Sequence, residues 1–205
     1  FEAGSLTVAE TGGMEIRFGD AEAMLALIEM IAFREGFGDV LAEGSAAVSE
    51  KLGFGQEFLT TSKGQEAPAH MPQKKINLAL IYAVNPFGAD HESSAHDPDY
   101  DFHYDGYKER LSSLGVTPPQ DPPGTLNPGK VAFSRLTLDL FSVTDSLCLC
   151  QFVWGASWQL YGPQHVAQLI NCVTGWKMTM EELLAVGARR VNMMQVFNAR
   201  EGVLK

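Results

Sequence analysis

Apolar side chains recur at helical spacing along most of this sequence, and no stretch alternates apolar and polar residues cleanly over six or more positions. A helix packed against a core buries one stripe of side chains, whereas a half-buried strand needs strict alternation. The sequence therefore predicts an all-α, multihelical fold. We expect more than about 45% of the residues to be helical, whereas about a third are helical in an average soluble protein.

Glycines and capping residues mark the ends of the first helices. Asp20 is a good N-cap for a helix that stops near Gly36, because its carboxylate can accept a free backbone N–H. A second helix is predicted to begin at Gly38 or Asp39 and to end at Gly53.

The later helices follow the same rules. Residues 130–149 predict a mostly buried helix, and Pro163 suits the first turn of another. Thr179 and Glu182 form a capping box that opens a long closing helix. The apolar run 76–84 is short, and its pattern fits a buried helix and a strand equally.

Residues 92–129 interrupt the helical pattern. They hold most of the prolines, several aspartates and tyrosines, and little apolar periodicity, which predicts a long surface excursion. We therefore predict two packed helical subdomains, residues 1–105 and 106–205.

Composition restricts the class of protein. Apolar residues make up 45% and charged residues 20%, as in an ordinary globular protein. A net charge of -10 argues against a nucleic-acid partner, and no apolar run is long enough for a membrane span. Three cysteines are too few for a disulfide framework and indicate a reducing, cytoplasmic setting. The chain begins at Phe1 without a signal peptide, and we expect it to be a fragment.

Two cysteines, Cys148 and Cys150, are separated by one residue. This spacing differs from the C-x-x-C of redox dithiols and zinc knuckles. On a helix the two thiols would point about 200° apart, so they could not easily bind the same ion. One structural cysteine and one metal-binding cysteine are therefore favoured over two metal-binding cysteines. Spacing alone favours a structural role for both.

Acidic residues and histidines cluster in the excursion. This cluster could bind a hard cation or zinc, but it fits no ligand template, and we expect a solvated acidic loop. A metal-dependent hydrolase built on this loop is a weaker alternative. The cluster consists of His96, Asp97, Asp99, Asp101, His103 and Asp105.

Two further histidines, His70 and His91, follow turn-forming stretches. Together with Glu66, Asp90 and Asp145 they could line a polar pocket that contains a general acid or base. The sequence has no G-x-S-x-G, P-loop or G-x-G-x-x-G motif.

Six collinear motifs resemble the aldehyde ferredoxin oxidoreductase family, a group of tungsten or molybdenum pterin enzymes. The resemblance covers the last two, helical domains of that family. The motifs are GDVLAEG (38–44), KGQEAPAH (63–70), NPFGADH (85–91), DSLCLC (145–150), TGWKMTMEELLAVGAR (174–189) and FNAREG (197–202).

The resemblance implies a tungsten or molybdenum bis-pterin and a [4Fe-4S] cluster, both expected only in the full-length protein. Three cluster cysteines would come from a missing N-terminal domain, and Cys150 would be the fourth metal ligand. Asp145 would hydrogen-bond a pterin, and Leu149 would stand against it. Cys148 occupies a position where the family usually has glycine, so its side chain could crowd the cofactors.

Two histidines match the substrate end of the family. His91, which closes GADH, matches a histidine near the metal that is a proposed hydrogen-bond partner for the substrate oxygen. His70 falls where relatives often carry tyrosine, also facing the pocket. Glu66 matches the family's KGxE and is not assigned a catalytic role.

The resemblance implies that the full-length enzyme oxidises aldehydes to carboxylic acids and passes electrons to ferredoxin or a similar acceptor. The expected partners are a small aldehyde, the missing N-terminal domain and, in a homodimer, a second copy of the chain. We expect the fragment alone to be inactive. The alternative is a cofactor-free helical interaction or scaffold module that keeps the family fold.

Overall fold

The computed structural model of the protein describes residues 1–100, 105–117 and 124–203. Helical residues make up 53% of this part of the chain, which confirms the all-α prediction. No helix within these residues is long and apolar enough to cross a membrane. The α-helices are α1 (Ala21–Phe33), α2 (Phe37–Leu41), α3 (Ser45–Leu52), α4 (Ile76–Val84), α5 (Asp105–Ser113), α6 (Pro128–Ser146), α7 (Pro163–Thr174) and α8 (Met180–Arg200).

The chain divides into two compact units, Phe1–Glu66 and Ala67–Lys205. The first contains α1 to α3 and an antiparallel hairpin of β1 (Thr61–Ser62) and β2 (Gln65–Glu66). The second contains α4 to α8. The predicted division into residues 1–105 and 106–205 stays a prediction about the family's domains.

Backbone conformation breaks the second predicted helix into α2 and α3. Gly44 has a φ of 89°, and a Cβ at this position would lie 2.8 Å from Glu66 Oε1. Glu66 accepts a hydrogen bond from the Ser45 N–H at the start of α3. A carboxylate is stabilising there because it satisfies a free N–H at the positive end of the helix dipole. Glu66 therefore has a structural role in the first unit.

Helix α6 forms the centre of the second unit. Its side chains Phe133, Leu140 and Phe141 are buried in one apolar cluster, to which α5 contributes Leu111. Helix α8 packs along α6, and Val143 and Leu183 of these two helices meet in a second cluster. Burial of these apolar side chains is the main favourable contribution to folding of this unit.

The prediction of a surface excursion over residues 92–129 is wrong for the described part of that segment. Ala95 and Tyr100 are buried, and so are Leu111 on α5 and, directly after this helix, Leu114 and Val116. The sequence pattern missed this because the burial is spread over a short helix and irregular turns. The four prolines of residues 118–123 lie outside the described residues.

A buried ion pair anchors this segment between α4 and α6. Asp97 Oδ1 lies 2.9 Å from Lys130 Nζ, and both side chains are buried. The same carboxylate accepts the backbone N–H groups of Asn77 and Leu78 in the first turn of α4. Asp97 thus caps α4 from a distance, because a carboxylate satisfies free N–H groups at a helix start. The expected solvated loop is wrong for Asp97.

Candidate functional site

Three histidines lie together beside α4. The ring centroids of His70 and His91 are 4.6 Å apart, those of His70 and His96 5.0 Å, and those of His91 and His96 5.9 Å. The sequence predicted His70 and His91 as pocket residues, whereas His96 was assigned to an acidic loop. The 3₁₀ turn Asp97–Asp99, held by the buried ion pair, brings His96 to the other two rings.

Hydrogen bonds fix the proton positions of two of these rings. Lys75 Nζ lies 3.4 Å from His70 Nδ1. An ammonium group can only donate, so His70 Nδ1 accepts and the neutral ring carries its proton on Nε2. His96 Nε2 lies 2.7 Å from the carbonyl oxygen of His91 and must donate to it. His91 Nε2 in turn lies 3.0 Å from Glu92 Oε1.

The surroundings of His70 favour its neutral form. Burial lowers the pKa of His70, and electrostatic interactions with Lys75, His91 and His96 lower that pKa further, against a smaller opposite effect of Glu92. At neutral pH, His70 is therefore an uncharged ring with an N–H donor at Nε2. Such a group can hydrogen-bond a carbonyl oxygen without adding a charge.

A cavity of about 380 Å³ opens beside the histidines. This volume suits a small organic ligand. The wall combines imidazoles, carboxylates and aromatic rings, and it includes His70, His91, His96, Glu92, Asp99, Gln151, Phe152 and Trp158. Burial raises the pKa of Asp99, whose Oδ2 accepts the His96 N–H.

Helix α6 ends in a left-handed turn at Cys148, whose φ is 55°. The Leu149 N–H donates to the Thr144 carbonyl at 2.9 Å, and the Cys148 N–H donates to the Asp145 carbonyl at 3.0 Å. These two bonds form a Schellman helix end, where glycine is preferred because it has no Cβ. This turn gives a physical reason why glycine is usual in the family at the position that Cys148 occupies here. The Cys148 side chain is exposed.

The predicted cofactor residues occupy this turn. Asp145 Oδ1 accepts a hydrogen bond from Gln151 Nε2 at 3.1 Å, and its Oδ2 accepts one from Arg190 at 3.2 Å. Leu149 packs against the cluster around Val143. Cys150 is an exposed, free thiol. Gln151 is the link between this turn and the histidine cavity, because it contacts Asp145 and lines the cavity.

The atoms that these residues offer can be compared with those that an iron–sulfur cluster and a pterin need. No group of three or more His, Cys, Asp or Glu side chains within the described residues is arranged to hold a metal ion. Cys150 is free and exposed, so it is available as one ligand of a centre shared with another part of the protein. A pterin N–H could share the Asp145 carboxylate, which has acceptor sites beyond the two in use. The residues are compatible with both groups.

The other acidic candidates serve the local structure. Asp90 Oδ1 accepts the Glu92 N–H at 2.9 Å, and its Oδ2 accepts the Ser93 hydroxyl. Asp97 is held by Lys130, so it is not available to a cation in the proposed hydrolase loop. Asp101, His103 and the side chain of Asp105 lie outside the described residues.

Sequence reasoning missed several residues of the site. Lys75 and Glu92 contact the predicted histidines, and each lies within five residues of one of them. Gln151 follows Cys150 directly, and this adjacency was an available signal. No pattern in the sequence indicated that Trp158 shares a cavity with His70.

Comparison with known proteins decides the family. The family described as "Aldehyde ferredoxin oxidoreductase, domains 2 & 3" matches residues 1–205. The chain belongs to the aldehyde ferredoxin oxidoreductase family. The resemblance inferred from the motifs is therefore confirmed, and the matched domains are the two that it indicated.

Individual members of the aldehyde ferredoxin oxidoreductase family are similar over nearly the whole chain. Tungsten-containing aldehyde ferredoxin oxidoreductases of Pyrococcus horikoshii and Pyrococcus furiosus are 31% and 32% identical, and each match covers 99% of this chain and 31% of the relative. An aliphatic sulfonate oxidoreductase, WOR-like subunit, of Pyrococcus furiosus is 32% identical over 96% of this chain and 26% of its own length. The chain thus spans less than a third of these relatives. No solved structure matched the chain.

Proposed function

We propose that this chain is the C-terminal part of a tungsten–pterin, iron–sulfur oxidoreductase that oxidises aldehydes to carboxylic acids and passes electrons to ferredoxin or a similar acceptor. The supporting observation is the turn after α6. It leaves Cys150 exposed and free, next to Gln151, which lines the histidine cavity. A thiol that is free to bind a metal, next to a cavity with hydrogen-bond donors, is the arrangement that such an enzyme requires.

The turn residues would hold the cofactors. Cys150 would supply one thiolate to a [4Fe-4S] cluster, Asp145 would accept a pterin N–H, and Leu149 would pack beside it. When bound, the tungsten or molybdenum bis-pterin would take two electrons from the substrate, and the cluster would pass them on singly. The remaining ligands would come from a part of the intact enzyme outside these residues, so residues 1–205 alone would be colourless and inactive.

The histidines would bind the substrate. Neutral His70 would donate from Nε2 to the aldehyde oxygen, with Nδ1 held by Lys75. Conversion of an aldehyde and water to an acid releases protons, and His91 with Glu92 at 3.0 Å would accept one. The free cysteines fit a reducing, cytoplasmic setting.

Iron content of the intact protein tests the Cys150 assignment. Cys150→Ala should lower iron per protein and the electron paramagnetic resonance signal of the reduced cluster, because one of four ligands is lost. Cys172→Ala is the matched control, since Cys172 is also an exposed free thiol but lies on α7. Cys148→Gly should retain the cluster.

Two results would contradict the proposal. Unchanged iron in Cys150→Ala, or iron loss in Cys148→Gly instead, would remove the cluster role of Cys150. Absence of iron, tungsten and molybdenum from the intact wild-type protein after anaerobic purification would favour the cofactor-free interaction module.

A further inference from the structure

Two aromatic side chains form one wall of the histidine cavity. Phe152 and Trp158 have ring centroids 6.0 Å apart with an interplanar angle of 55°. Both are exposed, with 68% and 51% of their surface accessible, and both face the cavity that the histidines line. Exposed aromatic surface inside a cavity is stabilised when a ligand covers it.

The polar part of the same cavity offers a hydrogen-bond donor of defined protonation. His70 is neutral and carries its proton on Nε2, because Lys75 donates to Nδ1. Glu92 and Asp99 add carboxylates to the lining. A neutral ligand with a carbonyl oxygen matches this combination. An anionic ligand is disfavoured, because the Glu92 and Asp99 carboxyl groups line the cavity whereas the Lys75 ammonium contacts His70 Nδ1 without lining it.

We propose that the cavity selects aromatic aldehydes, with the ring against Phe152 and Trp158 and the carbonyl oxygen accepting a hydrogen bond from His70. This inference rests on the proposed aldehyde oxidation and specifies its substrate class. Ring–ring contacts contribute beyond burial of area, so an aromatic ring should be preferred over a saturated ring of similar size by roughly three- to tenfold. The carboxylate product should bind more weakly than the neutral compound and so be released.

Binding to the intact protein tests the selectivity without turnover. The probes are acetophenone and cyclohexyl methyl ketone, which are unreactive aldehyde mimics with equal numbers of non-hydrogen atoms, and benzoate as the carboxylate. Dissociation constants from ligand-observed NMR titration should place acetophenone tightest, with cyclohexyl methyl ketone and benzoate both weaker. Because no cofactor chemistry is measured, a failure here is distinguishable from a failure of the iron test.

Variants assign the selectivity to the aromatic wall. Trp158→Leu should bring the ratio of the two ketones close to one, whereas Trp176→Leu should keep the wild-type ratio. Trp176 is a suitable control because it is 62% exposed and does not line the histidine cavity. Phe152→Leu is a second variant with the same expected direction, and circular dichroism verifies the fold of each.

Equal affinity of the two ketones for the wild-type protein would overturn the proposal. The proposal would also fail if folded Trp158→Leu and Phe152→Leu both kept the wild-type ratio of the two ketone dissociation constants. It would fail too if Trp176→Leu lowered this ratio as much as Trp158→Leu does. Binding of benzoate as tight as that of acetophenone would refute the preference for a neutral carbonyl.

Discussion

Gly187 of α8 lies directly against the main chain of Asp139 on α6, and a Cβ at position 187 would overlap the Asp139 carbonyl oxygen. The Ser142 hydroxyl donates to the Gly187 carbonyl at 3.1 Å. This crossing fixes the approach of the two helices. On the same helices, Arg190 reaches Asp145 at 3.2 Å, so the crossing also supports the candidate cofactor turn.

Gly187→Ala should destabilise the protein by about 1–3 kcal/mol, because the added methyl group must push α6 and α8 apart. Gly106→Ala on α5 is the matched control. Among the residues that the structure describes, no atom lies within 4 Å of a Cβ at position 106, so that change should be neutral or stabilising by up to about 1 kcal/mol. Urea unfolding compares the two. Equal effects of both substitutions would contradict the close crossing.

Asp139 should make stability depend on pH. Burial raises its pKa to about 6, despite Arg135 at 3.3 Å. The pKa in the unfolded chain is about 3.9, so the contribution of Asp139 to stability is fully present below that pH and is lost as pH rises through the folded value. The charged carboxylate should cost up to roughly 3 kcal/mol at neutral pH.

Asp139→Asn removes this titration. The free energy of unfolding of the variant relative to wild type should rise by about 2 kcal/mol between roughly pH 4.5 and pH 7.5. Chemical denaturation at both pH values gives the difference, in which other titrating groups cancel. A relative stability that stays constant over this range would show that the folded pKa is not raised.

The buried pair of Lys130 and Asp97 should be sensitive to loss of one partner. Lys130→Met leaves the Asp97 carboxylate buried without a counter-charge and should cost about 3–5 kcal/mol. Asp97→Asn combined with Lys130→Met should recover part of that loss. Lys177→Met, at an exposed lysine, should change stability by less than about 0.5 kcal/mol. A small effect of Lys130→Met in thermal and urea unfolding would count against the buried pair.

Cys148→Gly should stabilise the protein by about 0.5–1 kcal/mol, because glycine adopts the left-handed conformation at position 148 without steric cost. Cys172→Gly should do the opposite, since Cys172 lies within α7. The melting temperatures of the two variants should therefore move in opposite directions. A decrease in both would show that Cys148 makes contacts that outweigh its backbone strain.

Local signals in the sequence predicted individual helix ends well. Asp20 Oδ1 accepts the Ala23 N–H at 2.9 Å, and Thr179 and Glu182 form the predicted capping box. These bonds join residues three apart, so their geometry follows from the nearby sequence. The first helix nevertheless ends at Phe33 instead of near Gly36, because Arg34 adopts the left-handed conformation.

The sequence by itself determined the helical class, the principal caps and the order of motifs that identifies the family, because these depend on residues close together in the chain. Only the tertiary structure decided that His96 joins His70 and His91, and that Trp158 shares their cavity. The placement of His96 depends on a buried charge pair, Asp97 with Lys130, whose members are 33 residues apart. Arg110 donates to the carbonyls of Ser157 and Gln159 on either side of Trp158, and these residues are more than 45 positions from Arg110. Side chains that distant are brought together by burial and packing of the whole unit, which no local pattern specifies.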